Sequence, residues 1–484
     1  MSDSGASSSA TEQSTHHGNG KVIAASVAAA VGAFLFGFDS AVINGAVDAL
    51  AEDFALSDAL TGISVAIALL GCAVGAWYAG QLADRWGRKR VMVLGAILFF
   101  VSSVGAGLAF SVWDLMIWRV VGGLGIGIAS VISPAYISEI APARIRGALT
   151  SIHQLAITLG IFAALLSDAV LADRAGGAGE DYWLGVSAWR WMFLVGVVPA
   201  VVYGVLALLI PESPRYLVRA FKDDEARRVL RDVVGVDDPK AKVVEIRATL
   251  RAEERSTFAD IKGDRFGLKP LVWVGIILAA LQQLVGINAI FYYSTTLWRS
   301  VGFSDADAFK TSVITSVINV VLTFVAILFV DKFGRRRLLL IGSVGMLVSL
   351  AMASLAFFNA TGEGDDISLP EPWGLVALIG ANLFVIFFAA TWGPIVWVLL
   401  GEMFSNQMRT YALAIGAVGN WLANFVVSVS FPFLAGILGL GVVYGIYAGF
   451  ALVSFFFVKT KIPETSGHEL EDMVDDTQSA KAAR

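Results

Sequence analysis

Asp84-Arg85-Trp86-Gly87-Arg88-Lys89-Arg90 is a charged run between two apolar stretches, and it returns 247 residues later as Asp331-Lys332-Phe333-Gly334-Arg335-Arg336-Arg337. The apolar stretches flanking each copy are roughly 20 residues long and nearly free of charge, the length that crosses a bilayer as a helix. Working outward, such blocks lie near residues 22–47, 60–82, 91–111, 115–138, 148–171, 188–210, 271–298, 311–330, 338–358, 374–401, 410–435 and 439–458. Six precede and six follow the one long polar insertion, 211–269. Two more patterns recur in register. Glu139 and Arg146 after span 4 match Glu402 and Arg409 after span 10, an offset of 263, and Pro211-Glu212-Ser213 matches Pro463-Glu464-Thr465, an offset of 252. Three matches in register indicate a duplicated six-span unit, and repeated halves point to a carrier with a central site between rocking bundles.

Composition agrees. The 484 residues are 57% hydrophobic and only 15% charged, against roughly 25% charged in a soluble domain. The expected fold is all-α integral membrane, with twelve transmembrane helices in two pseudo-symmetric six-helix bundles and a cytoplasmic amphipathic helical insertion. The expected parts are a disordered tail (1–20), an N-terminal bundle (21–210), the linker (211–269), a C-terminal bundle (270–460) and a cytoplasmic tail (461–484). Within the linker, KDDEARRVLRDVV and VVEIRATLRAEER carry apolar residues at helical spacing and should form short helices at the membrane surface. The short loops sort by sign. Arg85, Arg88, Lys89, Arg90, Arg144, Arg146, Lys332, Arg335, Arg336, Arg337 and Arg409 follow even-numbered spans, whereas Glu52, Asp53, Asp173, Glu180, Asp181, Glu363 and Asp365 follow odd-numbered ones. The positive-inside rule then places both termini in the cytoplasm of a multi-pass protein of the cell membrane.

Clustered arginines can set topology alone, but topology does not require the accompanying acids Asp84, Glu139, Asp331 and Glu402. With Arg85, Arg88, Arg146, Arg335, Arg336 and Arg409 these form a candidate conformational latch that biases an inward-open/outward-open equilibrium. Inside the spans, Asp39 and Arg119 are an acid and a base in apolar surroundings. An unpaired charge there costs at least about 2.5–3.5 kcal/mol, so each is the other's expected partner. Burial favours a neutral acid and a guanidinium favours the anion, so a pair that is made and broken is a proton switch; a static pair that fixes helix packing is the alternative.

Amides pair with hydroxyl groups and aromatic rings cover C–H surfaces, so the two together suit a small polar ligand. Span 7, LQQLVGINAIFYYS, concentrates Gln282, Gln283, Asn288, Tyr292 and Tyr293 around Gly286, which permits a backbone break. Gln154, Asn319, Trp397, Asn420 and Trp421 add one or two candidates per span. Gly393-Pro394 marks a kink in span 10, either a gate hinge or a packing device. Catalytic readings find no support. No P-loop, Ser-His-Asp set or His-based metal motif is present, and Gly122 to Gly127 lies within span 4 with no strand before it. The only cysteine is Cys72, and the adjacent His16 and His17 lack preorganised co-ligands, so neither a metal nor a cofactor is expected.

The loop GQLADRWGRKR, the pair SEIAPARIRG and GEMFSNQMRT, the PESPR after span 6 and the PET after span 12 together resemble the sugar porter family of the major facilitator superfamily, from Lys21 to Gly467. Ser405 departs from the family's usual Pro and Ser466 from its usual Lys. The resemblance implies the major facilitator fold and a monosaccharide carrier acting as a monomer among membrane lipids, with no nucleic-acid partner. Proton-coupled members carry an acid at the place of Asp39 and an Arg at that of Arg119, while facilitative animal members carry Asn at the acid. The resemblance also implies sugar contacts at Gln154, Gln282, Gln283, Asn288, Asn319 and Trp397, and adds Phe36, one turn before Asp39. Asn420, where xylose carriers have Gln, leaves room for a hexose, so D-glucose comes first, with galactose, xylose, arabinose and inositol behind. Proton symport is the leading expectation, facilitative uniport the alternative. A non-transporting sugar receptor is disfavoured by the short tail after Pro463.

Overall fold

The computed structural model describes residues 6–142, 146–253, 258–263, 267–299, 302–361, 368–404 and 406–462. Helix α1 (Ala6–Asp53) is followed by α2 (Asp58–Trp86), α3 (Arg88–Gly107), α4 (Val112–Ile140) and α5 (Arg146–Ala175), and span 6 is the pair α6 (Ala188–Val195) and α7 (Val197–Leu209). Short helices α8 (Pro214–Arg219), α9 (Asp223–Val229) and α10 (Pro239–Glu253) occupy the insertion. The second half contains α11 (Pro270–Leu284), α12 (Ile287–Arg299), α13 (Asp305–Phe333), α14 (Arg335–Phe358), α15 (Trp373–Phe387), α16 (Gly393–Glu402) and α17 (Asn406–Lys461).

Eleven of these stretches are long and apolar enough to span a bilayer, and α17 counts as two because Gly439, at φ 78° and ψ 157°, turns the chain within it. The result is the expected twelve-helix fold in a multi-pass membrane protein. One boundary differs. The polar stretch expected to be disordered is helical from Ala6 and runs into span 1 without a break; extending an existing helix avoids the nucleation step that makes an isolated polar helix unfavourable.

Local chemistry explains the boundaries. Ser57, Ser111 and Ser304 cap α2, α4 and α13 by accepting from the amides of Leu60, Asp114 and Asp307 at 3.4, 3.3 and 3.2 Å. The duplicated charged loops turn at Gly87 (φ 92°) and Gly334 (φ 80°), a left-handed conformation that glycine adopts without penalty. Core packing relies on backbone contact. A Cβ at Gly71 or Gly75 of α2 would strike α4 carbonyls, and one at Gly123 or Gly127 of α4 would strike α2 carbonyls. The glycine run of span 4 is thus a packing surface, as small residues are between membrane helices. The insertion helices are amphipathic as expected, and Leu217, Val218, Ala226, Leu230 and Val243 form their own small core. Arg247 of α10 ties to Asp223 of α9 at 2.6 Å.

Candidate substrate and proton site

Asp39 on α1 and Arg119 on α4 meet as expected. Arg119 Nη1 donates to Asp39 Oδ1 at 3.0 Å and its Nη2 donates to the Val65 carbonyl of α2 at 3.2 Å, while its guanidinium lies 5.8 Å from the centre of the Phe193 ring. Arg119 is 3% exposed and Asp39 8%. Narrow gaps with room for at most about one water flank the pair. One is lined by Phe38, Phe99, Ser102 and Phe193, the other by Phe36, Ser40, Cys72 and Tyr292. Tyr292 belongs to the second half, so the pair abuts the interface between halves.

Across that interface lies an amide cluster created by the break in span 7. Helix α11 stops at Leu284, Gly286 takes φ 87°, and α12 restarts at Ile287. Gln282 Nε2 donates to the carbonyls of Trp392 and Gly393 at 2.9 and 3.1 Å, and its Oε1 accepts from Asn420 Nδ2 at 2.9 Å. Gln283 donates to Asn420 Oδ1 at 3.2 Å and accepts from Asn288 Nδ2 at 2.5 Å. Four of the expected residues therefore form one hydrogen-bonded set. Trp421, next in chain, meets Phe36 edge-on with ring centres 5.2 Å apart, an aromatic contact between the halves.

The other candidates are placed differently. Tyr293 turns away from the amides: its hydroxyl donates to the Ser428 carbonyl at 2.9 Å and its ring stacks on Phe431. Gln154 is half-buried on α5 and Asn319 buried on α13, two helices that pack against each other across the halves. Trp397 on α16 is 39% exposed. Sequence reading missed three residues. Asn424 donates to the Tyr292 hydroxyl at 3.3 Å, one turn after Asn420. Trp392 donates its indole N–H to the Leu339 carbonyl and Ser343 at 3.0 and 3.1 Å. Asn44, five residues past Asp39, was in plain view but had no motif to mark it.

Asn44 anchors a polar seam between halves at the end away from the duplicated loops. Its Nδ2 donates to the Phe291 carbonyl and Ser294 Oγ at 2.8 and 2.6 Å, and its Oδ1 accepts from the Thr295 amide and hydroxyl at 3.1 and 2.6 Å. One turn on, Asp48 accepts from Thr296 at 2.6 Å and from Arg299 at 3.0 Å.

At the loop end the latch residues pair within each half. Arg88 donates to Glu139 at 2.8 Å and to Asp84 at 3.3 Å, and Arg335 pairs with Glu402 at 3.0 Å in the repeat. Arg336 donates to the Lys459 carbonyl at 2.7 Å. Arg85 is exposed, and its carbonyl accepts from Tyr216 at 3.4 Å. The side chains of Arg146, Asp331 and Arg409 lie outside the described residues. The 211–219 segment takes a larger part than its motif suggested. Arg219 pairs with Asp84 at 2.8 Å, Ser213 donates to Glu139, and Glu212 accepts from the backbone amides of Arg88 and Ser213 at 2.9 and 2.8 Å. Burial pushes the Glu212 carboxyl above its ordinary value, and those amides pull it back part of the way.

Residues 25–476 match the family model described as sugar (and other) transporter. The glucose transport protein of Synechocystis is 52% identical over 453 residues, covering 93% of this chain and 97% of its own. The D-xylose-proton symporter of Escherichia coli is 34% identical, covering 95% and 96%. The inward-open conformation of the xylose transporter from E. coli superposes with a TM-score of 0.79 at 34% identity, over 94% of this chain and 99% of that one. With duplicated charged loops, a broken span 7 carrying amides and a match over nearly its whole length, the chain belongs to the sugar (and other) transporter family.

Proposed function

We propose that this protein imports a monosaccharide, D-glucose first, by proton symport through alternating access. The observation that carries the reading is the buried Asp39–Arg119 pair at the edge of a narrow gap it shares with Phe36 and Tyr292. Amides Gln282, Gln283, Asn288 and Asn420 hold the hydroxyl groups, and Phe36, Trp397 and Trp421 offer apolar faces, with Gln154 and Asn319 completing the cavity. Tyr293 serves the helix break rather than the sugar. Protonation of Asp39 from outside frees Arg119 and favours sugar binding, and proton release inside restores the pair. One proton moving across 100 mV supplies about 2.3 kcal/mol, a sugar gradient of roughly fifty-fold.

In this scheme the polar seam at Asn44 and Asp48 closes the outer end of the interface between the halves. On this reading both termini are cytoplasmic, the protein works as a monomer in the cell membrane, and residues 211–269 form a cytoplasmic clasp beneath the two six-helix bundles. The 52% identity to a glucose transport protein supports glucose as the first choice, and the symporters among the relatives support proton coupling. The test is lumenal pH in proteoliposomes when D-glucose, D-xylose or myo-inositol is added outside, for wild type and Asp39→Asn. Acidification by D-glucose, absent in the variant, is expected. Labelled-sugar uptake without proton movement in the wild type would make the protein a uniporter and Asp39–Arg119 a structural pair.

A further inference from the structure

Tyr447 lies on the last span, in the part of α17 beyond Gly439, and belongs to neither the amide cluster nor the proton pair. It is 4% exposed, and its ring covers the break in span 7 so closely that a Cβ at Gly286 would strike its Cδ2, Cε2 and Cγ. Tyr444, one turn earlier, backs it at 6.1 Å between ring centres and itself packs on Phe357 of α14. Span 12 and α14 thus form a stack ending on the residue at which α11 becomes α12. Gln283 and Asn288 lie on either side of that residue, and the turn at Gly286 is what brings their amides to 2.5 Å. The Tyr447 hydroxyl is buried and, among the described residues, has no hydrogen-bond partner, a state shared by only one other hydroxyl, that of Ser26. A buried donor without an acceptor is unfavourable, whereas a broken helix carries carbonyls that change partners when its two parts tilt.

We infer that Tyr447 is a positioning residue: its ring sets the angle between α11 and α12 that assembles the sugar-binding amides, and its hydroxyl, idle here, bonds a span 7 carbonyl once the outer seam opens. The inference rests on the monosaccharide reading for its binding arm only. Losing the ring should loosen the amides, whereas losing the hydroxyl should favour the seam-closed conformation, where it bonds nothing.

The test uses the full chain with Tyr447→Ala, Tyr447→Leu and Tyr447→Phe. D-glucose binding is measured by calorimetry, and the seam-open to seam-closed ratio by spin-label distances between Glu52→Cys and Lys310→Cys in a Cys72→Ser background. Tyr447→Ala should weaken binding about tenfold or more, with Tyr447→Leu reporting the same loss should the alanine variant not fold, and Tyr447→Phe should restore affinity to within about threefold of wild type. Tyr447→Phe should also shift the ratio toward seam-closed by about three- to tenfold, the effect of one net hydrogen bond. Wild-type affinity in the ring-deletion variants, or an unchanged ratio in Tyr447→Phe, would overturn the inference. If the wild type binds no D-glucose, the substrate choice fails while the distance arm still judges Tyr447.

Discussion

Replacing Asn44 by Ala should open the outer seam. The side chain is 1% exposed and makes hydrogen bonds to the Phe291 carbonyl, Ser294 Oγ, the Thr295 amide and the Thr295 hydroxyl, all across the halves. Interhelical hydrogen bonds within membranes average about 0.6 kcal/mol by double-mutant cycles, so losing all four removes about 2.4 kcal/mol from the closed seam. That is roughly a fifty-fold change in the ratio of closed to open conformations. One tie survives: Thr295 Oγ1 also donates to the Asn44 backbone carbonyl at 2.7 Å, which alanine retains. The Glu52/Lys310 spin-label pair should therefore move its main population to longer distances, with no need for added sugar or a pH change. Asp48→Asn, which weakens the Arg299 pair but leaves Asn44 in place, should give a smaller shift in the same direction. A wild-type distance distribution in Asn44→Ala would refute the reasoning, because the seam would then be held without the Asn44 side chain, by the Asp48 contacts and the packing around them.

Gly286→Ala forces a left-handed residue into the break and a methyl group into the Tyr447 ring; left-handed backbone alone costs about 1–2 kcal/mol, and the thermal midpoint in detergent should fall by several degrees with D-glucose binding lost. Arg88→Gln leaves Glu139, 9% exposed, without its main charged partner, and breaking a buried pair costs about 3–5 kcal/mol. Asp84→Asn, at a carboxylate 39% exposed, should cost under about 1 kcal/mol, so similar melting shifts for the two variants would count against a buried latch. Asn420→Gln lengthens the amide that joins Gln282 to Gln283 and should lower the preference for D-glucose over D-xylose, read as the ratio of their KM values in counterflow.

What the sequence revealed follows from which patterns are local. Span count, duplicated loops and the insertion were legible because each depends on about 20 consecutive residues or one short motif, and Asp39 with Arg119 because charge in an apolar run demands a partner. The amides of span 7 were legible for the same reason. The separation of Tyr293 from Tyr292 was not legible, because the chain at Tyr293 leaves helical geometry at φ −129°, ψ 19° and the side chain meets Ser428 and Phe431. Asn44 was missed because a lone asparagine in a span reads as any helix–helix hydrogen bond; what distinguishes it is a partner about 250 residues away. The role of Glu212 was hidden likewise, since capping the first turn of α3 requires a loop 124 residues downstream to fold back onto it.

The location of each charge constrains how the proton and the sugar can communicate. Asp39, Arg119 and the Val65 carbonyl all lie in the first half, whereas the hydrogen-bonded amides lie in the second. If the halves move as rigid bodies, protonation cannot reach the amides through the pair's own hydrogen bonds, because none of these crosses the interface. Contacts that cross near it include Phe36 against Trp421, and Tyr292, which lies beside Asp39, hydrogen-bonds Ser40 and accepts from Asn424. Phe36 sits one helical turn before Asp39 and Asn44 just over one turn after it, so α1 carries the aromatic contact, the buried carboxylate and the seam along a single rod. A small rotation of α1 on release of Arg119 would alter all three together. On the proposed function, that would tie the proton to the seam through helix geometry, without a continuous wire of hydrogen bonds between the two sites.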